Sequence, residues 1–175
     1  MAAHPMPACR AALLHRPDPA MAMPADDTDR IMAVMAEAFD PAYGEAWNRG
    51  QLESALILGS AHYRLIAAGG AEPPPGEEAA GFALVRTLFD EDELLLFAVR
   101  PALRGRGLGR ALLEQVIGDA RARGSRRILL EMRRGNSAER LYRAFGFIQV
   151  GLRPDYYRGA NNTRCDALTF ACSLE

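Results

Sequence analysis

Apolar positions recur along the chain with two different periods, and the switches between them mark its elements. Ile31, Val34, Met35 and Phe39 fall on one helical face, with Asp27 or Thr28 where a cap is needed, so residues 27–39 are predicted helical. A second helix is predicted over 51–58. Residues 62–68 read as a strand, and GGAEPPPG at 69–76 as a loop, because Gly and Pro interrupt both helix and ladder. Residues 79–89 and 93–99 are predicted strands joined by an acidic turn of Asp90, Glu91 and Asp92. After a break at Pro101, Leu108, Leu112, Val116 and Ile117 keep helical spacing over 108–122. RILLEM at 127–132 is a short buried strand, and Gly135 and Asn136 open a helix that runs to Ala144 and stops at Gly146. Residues 147–151 and 167–172 are the last strands. This series predicts an α/β (α+β) layout: one mixed sheet with helices on both faces.

Composition narrows the class. A chain of 175 residues, 49% apolar and 25% charged, suits one domain with one core. No stretch has the apolar length of a membrane span. Residues 1–24, with Arg10, Arg16 and several prolines, lack the apolar run of a secretory signal and are expected to form a disordered leader. Met21 and Met23 are alternative starts within it, and a transit peptide is the rival reading. Residues 25–175 are expected to form the single folded domain. Cys9, Cys165 and Cys172 show neither metal-ligand nor disulfide spacing, and His4, His15 and His62 are scattered, so no metal is expected and a reducing, cytoplasmic setting fits.

Charge is unevenly placed. All basic residues are Arg, and twelve of them lie between Arg100 and Arg143 against Glu114, Asp119, Glu131 and Glu139. Between Asp26 and Glu93 the balance reverses, with fourteen acids against Arg30, Arg49, Arg64 and Arg86. A basic block serves a nucleic acid, an anionic cofactor, or simply a solvated face. The motif inside it separates these. In LLLFAVRPALRGRGLGRALLEQV a buried strand runs into a loop with Gly105, Gly107 and Gly109, where a helix starts. Glycines at a helix N-terminus let amide groups approach an anion, and the helix dipole adds attraction, which makes a pyrophosphate cradle. A P-loop would need a Lys, which the chain lacks, and a dinucleotide fingerprint would need different glycine spacing.

Arg104-x-x-Gly107-x-Gly109, between a strand ending FAV and a helix starting RALL, resembles the acetyl-CoA motif of the GNAT superfamily. The likeness continues through LLEMRRGN and ERLYRAFGF. The tail GLRPDYYRGANNTRCDALTF resembles the ribosomal-protein-alanine N-acetyltransferases, the RimI type. The resemblance implies a GNAT fold with one mostly antiparallel sheet of six to seven strands. It implies acetyl-CoA as donor, with main-chain groups of Phe97, Ala98 and Val99 holding the pantetheine and polarising the acetyl carbonyl. The pyrophosphate is expected on Arg104, Gly105, Arg106, Gly107, Leu108, Gly109 and Arg110, with Arg106 and Arg110 adding charge. Glu131 matches the family's general base and Tyr142 the acid that protonates the departing thiolate. A strand-end carboxylate and a core aromatic are the plain alternatives for those two. Asn136 is expected to contact the cofactor and cap the helix, although its spacing to Tyr142 is one position short of the family pattern.

As acceptor the resemblance implies the α-amine of a basic protein N-terminus, that of a ribosomal protein, reached by direct transfer in a ternary complex. Trp47, Tyr156 and Tyr157 match aromatic residues that shape the peptide groove, with Trp47 equally readable as a packing anchor and one tyrosine expected in the core. A small-molecule or polyamine acetyltransferase and a non-catalytic acyl-CoA-binding module are the alternatives. Neither direct nucleic-acid binding nor membrane association is expected.

Overall fold

The computed structural model describes residues 25–158 and 164–174. The expected leader, residues 1–24, lies outside them. The chain runs α1 (Ala25–Ala38), a short 3-10 turn (Pro41–Tyr43), α2 (Arg49–Ile57), β1 (Ala61–Ile66), β2 (Gly81–Leu88) and β3 (Glu91–Val99). A second 3-10 turn (Pro101–Leu103) leads to α3 (Leu108–Arg123), β4 (Arg127–Arg133), α4 (Glu139–Ala144), β5 (Ile148–Arg158) and β6 (Arg164–Ser173).

The strands form one six-stranded sheet in the order β1-β2-β3-β4-β6-β5, antiparallel except for the β3–β4 pair. Side chains alternate between its faces. Ile31, Val34 and Met35 of α1 and Leu52 of α2 pack on Phe82, Leu84, Leu96 and Ala98. On the opposite face Leu112, Leu113 and Val116 of α3 and Tyr142 of α4 pack on Ala83, Val85, Leu94, Ile128, Leu130 and Phe170. Helices thus cover both faces, as the periodicity predicted.

Several boundaries differ from the sequence reading, and three of them have a clear local reason. Helix α2 starts before residue 51 because Asn48 and Gln51 form a capping box: the Gln51 amide donates to Asn48 Oδ1 and the Asn48 amide to Gln51 Oε1, both at 2.9 Å. The β2–β3 turn sits at Phe89 and Asp90, not at Asp90, Glu91 and Asp92, because Asp92 is a strand residue with its side chain buried. Its carboxylate accepts from Thr87 Oγ1 (2.8 Å) and Ser125 Oγ (3.0 Å) and pairs with Arg123 at the end of α3. Strand β5 runs well past residue 151, through Pro154, because it is a sheet edge, where a missing amide costs no ladder bond.

Strand β3 also carries an irregularity that matters below. Leu84 pairs with Leu96 and Val85 with Leu94, leaving Leu95 without a counterpart. This bulge turns Phe97 and Val99 to the α3 face and Leu96 and Ala98 to the α1 face.

Asp92 ties the start of β3 to the end of α3 and so holds the closed end of the sheet. The substitution Asp92→Asn is expected to lower unfolding free energy by about 2 kcal/mol, the worth of bonds to a buried charge. Urea unfolding with an unchanged slope would register this; a loss under about 0.5 kcal/mol would deny Asp92 that role.

Candidate active site

Strands β3 and β4 pair only where Glu91, Asp92, Glu93 and Leu94 meet Arg127, Ile128, Leu129 and Leu130. Beyond Leu94, β3 stays with β2 as far as Val99, which faces Gly81, while β4 stays with β6 as far as Arg133, which faces Ala167. The two strands therefore diverge, and a groove opens between them. It has two connected parts, of about 710 Å³ and about 530 Å³, a size that suits ligands rather than single waters.

The smaller part is walled by Phe97, Ala98 and Val99 of β3, by Arg104, Gly105, Leu108 and Gly109, and by Asn136 and Leu141 from the α4 side. Gly105 (φ 76°) and Gly107 (φ 84°) adopt the left-handed region that glycine alone enters cheaply. Among the described residues no backbone carbonyl takes up the amides of 105–110, since the first helical bond runs from the Ala111 amide to the Gly107 carbonyl (3.0 Å). Free amides at a 16-residue helix start are an anion site. Gly109 serves a different purpose: a Cβ there would sit 3.4 Å from Leu141 Cδ2, so its absence lets α3 lie close to α4.

Arg104 does not present its charge to the groove alone. Its Nε donates to the Val99 carbonyl (3.0 Å) and its Nη2 to the Ala38 carbonyl (3.1 Å), strapping the loop to β3 and to α1. Arg106, Gly107 and Arg110 stand outside the walls of both parts; Arg110 lies over the Phe145 ring and near Glu114. The groups here placed to meet an anion are backbone amides more than side chains.

The larger part is walled by Trp47, Glu131, Arg153, Tyr156 and Tyr157. On β4, Ile128, Leu130 and Met132 are buried under the α3 face, which turns Glu131 to the opposite side and into the groove. Arg153 of β5 donates to Glu131 Oε2 through Nε (3.0 Å) and Nη2, and its guanidinium lies over the Tyr156 ring. Trp47 is a packing anchor that also lines the groove: its amide donates to Met35 Sδ (3.1 Å), and it packs against the α1 core. Neither Tyr156 nor Tyr157 is a core residue, contrary to expectation. They meet edge to face (5.2 Å between centroids) on the groove wall, because the bulged edge strand β5 has no layer covering it there. Burial, with Glu131 and Glu45 nearby, pushes the Tyr157 hydroxyl up to about 12.

Phe39, Tyr43, Glu45, Phe97, Asn136 and Tyr142 line both parts and so mark their junction. Tyr142 packs between Phe97 (5.9 Å) and Phe147 (5.7 Å), and burial raises its hydroxyl well above the ordinary phenol range. It is therefore both a core aromatic and a protonated phenol at the groove. Asn136 caps a turn rather than the helix: its Oδ1 accepts from the Ala138 amide (3.0 Å), and α4 begins only at Glu139.

Sequence reasoning missed Tyr43, Glu45, Arg133 and Arg153. Arg133 stacks over the Tyr43 ring (3.7 Å), and its Nε lies 3.8 Å from Glu45 Oε2. The available signal for Glu45 was an isolated acid two positions before Trp47, in a stretch with no period. The arginine block is spent largely on ion pairs: Arg123 with Asp92, Arg127 with Glu91, Arg134 with Asp166, and Arg143 with Glu139. Among the described residues no His, Cys, Asp and Glu cluster could hold a metal, and no helix is long and apolar enough to cross a membrane.

Comparison with known proteins agrees with this geometry. Over 94 residues the chain is 37% identical to the ribosomal protein bS18-alanine N-acetyltransferase of Haemophilus influenzae, covering 54% of this chain and 64% of that one. The Escherichia coli K12 protein of the same name is 39% identical over 96 residues, 54% of this chain and 64% of its own length. These alignments thus span under two thirds of the relatives' length. The crystal structure of the ribosomal-protein-S18-alanine N-acetyltransferase from Escherichia coli superposes with a TM-score of 0.73 at 27% identity, over 87% of this chain and 91% of that one. The sequence profile of the acetyltransferase (GNAT) family matches residues 28–147, from α1 to the end of α4 and beyond. With that match over most of its length, and with the splayed sheet and amide cradle described above, the chain belongs to the GNAT acetyltransferase family.

Proposed function

We propose that this protein transfers acetyl from acetyl-CoA to the α-amine of a basic protein N-terminus, that of a ribosomal protein, in the cytoplasm. One observation carries the reading: a single groove joins the free amides of α3 to the Glu131 wall, with Tyr142 at the junction. The named substrate of the relatives at 37% and 39% identity supports the acceptor class.

The cradle fits the donor. Amides of 105–110 and the dipole of α3 would take the pyrophosphate, and the β3 edge at Phe97, Ala98 and Val99, unpaired on the β4 side, would take the pantetheine through main-chain groups. Acetyl-CoA supplies an activated thioester; the chain supplies the rest. An α-amine arrives largely as ammonium and must lose a proton before it attacks. Glu131 accepts that proton, directly or through water, while Arg153 fixes the carboxylate's orientation. Tyr142, kept protonated by burial, gives its proton to the departing thiolate. Neither described cysteine lines the groove, which accords with direct transfer in a ternary complex. The three carboxylates of the larger part, Glu45, Glu93 and Glu131, each have an arginine neighbour, so attraction of a basic peptide is local rather than a broad acidic field.

The deciding assay is CoA release with a short Ala-initiated basic peptide, the same peptide with a blocked α-amine, and free polyamines. Turnover confined to the free N-terminus is the expected result. Turnover with polyamines alone would replace the acceptor class, and silence in every lane would leave a binding module. Glu131→Gln is expected to reduce kcat/KM about 100-fold, most at low pH, where the amine is hardest to deprotonate. A loss that is uniform across pH would remove Glu131 as base. Tyr142→Phe is expected to lower kcat roughly 10- to 100-fold with acetyl-CoA affinity kept; a loss of affinity alone would make it a packing residue.

A further inference from the structure

We infer that Glu45 is the specificity-determining residue for a free amine: its carboxylate holds the acceptor's ammonium at the junction of the groove, opposite Glu131. The inference rests on the acetyl-transfer reading above and assigns to this chain's α1–α2 connection a role that reading does not use.

The connection is built to present this side chain. Asp40 caps the 3-10 turn by accepting from the Ala42 amide (2.9 Å), and Gly44 (φ 62°) then reverses the chain, so that Glu45 enters the groove wall. Of the residues shared by the two parts of the groove, Glu45 alone carries a carboxylate. Wherever an acyl donor in one part meets an acceptor in the other, Glu45 is beside them.

Its bonding is incomplete. The side chain keeps only 17% of its exposure, yet among the described residues no donor stands within hydrogen-bond distance of its oxygens. Arg133 approaches to 3.8 Å but is held flat on the Tyr43 ring, and its Nε is itself buried without a partner. A half-buried carboxylate with one offset cation is costly. Burial outweighs Arg133, with Asp40 adding to it, and lifts the Glu45 carboxyl above the usual range. The charged and titratable groups that face it are Asp40 and Tyr43 from its own loop, Arg133 from β4 and Tyr157 from β5.

An ammonium supplies the missing donors, three of them on one compact cation. Glu131 differs, being satisfied by Arg153. Both carboxylates line the larger part of the groove, Glu45 from the loop wall and Glu131 from the β4 wall. The division of labour follows: Glu45 grips the ammonium, and Glu131 receives its proton. A half-buried carboxylate with only an offset cation also disfavours ligands that bring no ammonium, the acetylated product among them.

The test is steady-state kinetics with acetyl-CoA and a short Ala-initiated basic peptide, for the wild type, Glu45→Gln and Glu45→Asp. Glu45→Gln is expected to raise the peptide KM roughly 10- to 100-fold, with kcat and the KM for acetyl-CoA within about 3-fold, and Glu45→Asp to recover part of the loss. Inhibition by the Nα-acetylated peptide, which lacks the cation, is expected to be no weaker in Glu45→Gln. Retained acetyl-CoA binding by Glu45→Gln shows that the variant folds. An active wild type with an unchanged peptide KM in Glu45→Gln overturns this inference alone. A wild type silent with every amine overturns the acetyl-transfer reading and this inference together.

Discussion

Beyond Leu94, strand β3 keeps its bonds to β2 and gives up those to β4, and almost everything about the site depends on this half-pairing. An unpaired strand edge inside a protein is a liability unless something covers it. Here it lies along a groove, where a donor's amide-rich arm can complete the ladder. The divergence is enforced from both sides. The extra residue Leu95 increases twist in β3, and a seven-residue pairing commits β4 to β6 as far as Arg133. Gly81 keeps β2 tight against the half of β3 that has left β4: a Cβ there would meet the Ala98 carbonyl at 2.6 Å. At the closed end, buried Asp92 with Thr87, Ser125 and Arg123 stops the opening from spreading down the sheet.

The exclusive use of arginine reads differently once the contacts are known. Several guanidinium groups here make two kinds of contact at once, which a planar fork permits and an ammonium does not. Arg104 bonds two carbonyls from different elements. Arg133 stacks on Tyr43 while facing Glu45, and Arg153 bonds Glu131 while covering Tyr156. Arg100 bonds the Ala79 carbonyl (2.7 Å) and pairs with Glu37, joining the end of β3 to α1. Arginines that looked like a basic surface in the sequence are mostly joints between elements. The proposed anion site is left to backbone amides, which need no side-chain ordering to bind.

The groove's two walls have different origins. One is sheet, and its positions are set by alternation along β3 and β4. The other is the connection between α1 and α2, a run of turns fixed by Asp40, Gly44 and the Asn48 capping box. The sheet wall carries groups that fit the chemistry of transfer. The loop wall carries Tyr43, Glu45 and Trp47, the groups that fit recognition. In the proposed reaction such a split would let acceptor choice change in a loop while the proposed donor-binding and proton-transfer groups stay on rigid strands and helices.

The sequence alone determined the element order, the two-faced sheet and the cradle, because each is written in a local period or a glycine's backbone freedom. Glu131 and Tyr142, which the family resemblance singled out, both line the groove, but their surroundings come from other elements: Arg153 of β5 beside Glu131, and Phe97 of β3 against Tyr142. Where the sequence reading misplaced things, a distant partner was responsible. Asp92 belongs to a strand because Ser125 and Arg123 wait for it, and both tyrosines face the groove because β5 is a bulged edge. Glu45 and Arg153 joined the site only in three dimensions. Periodicity reports how one element meets solvent and core. Which elements face each other across a gap is settled by register and divergence between strands far apart in the chain, and only the folded structure holds that information.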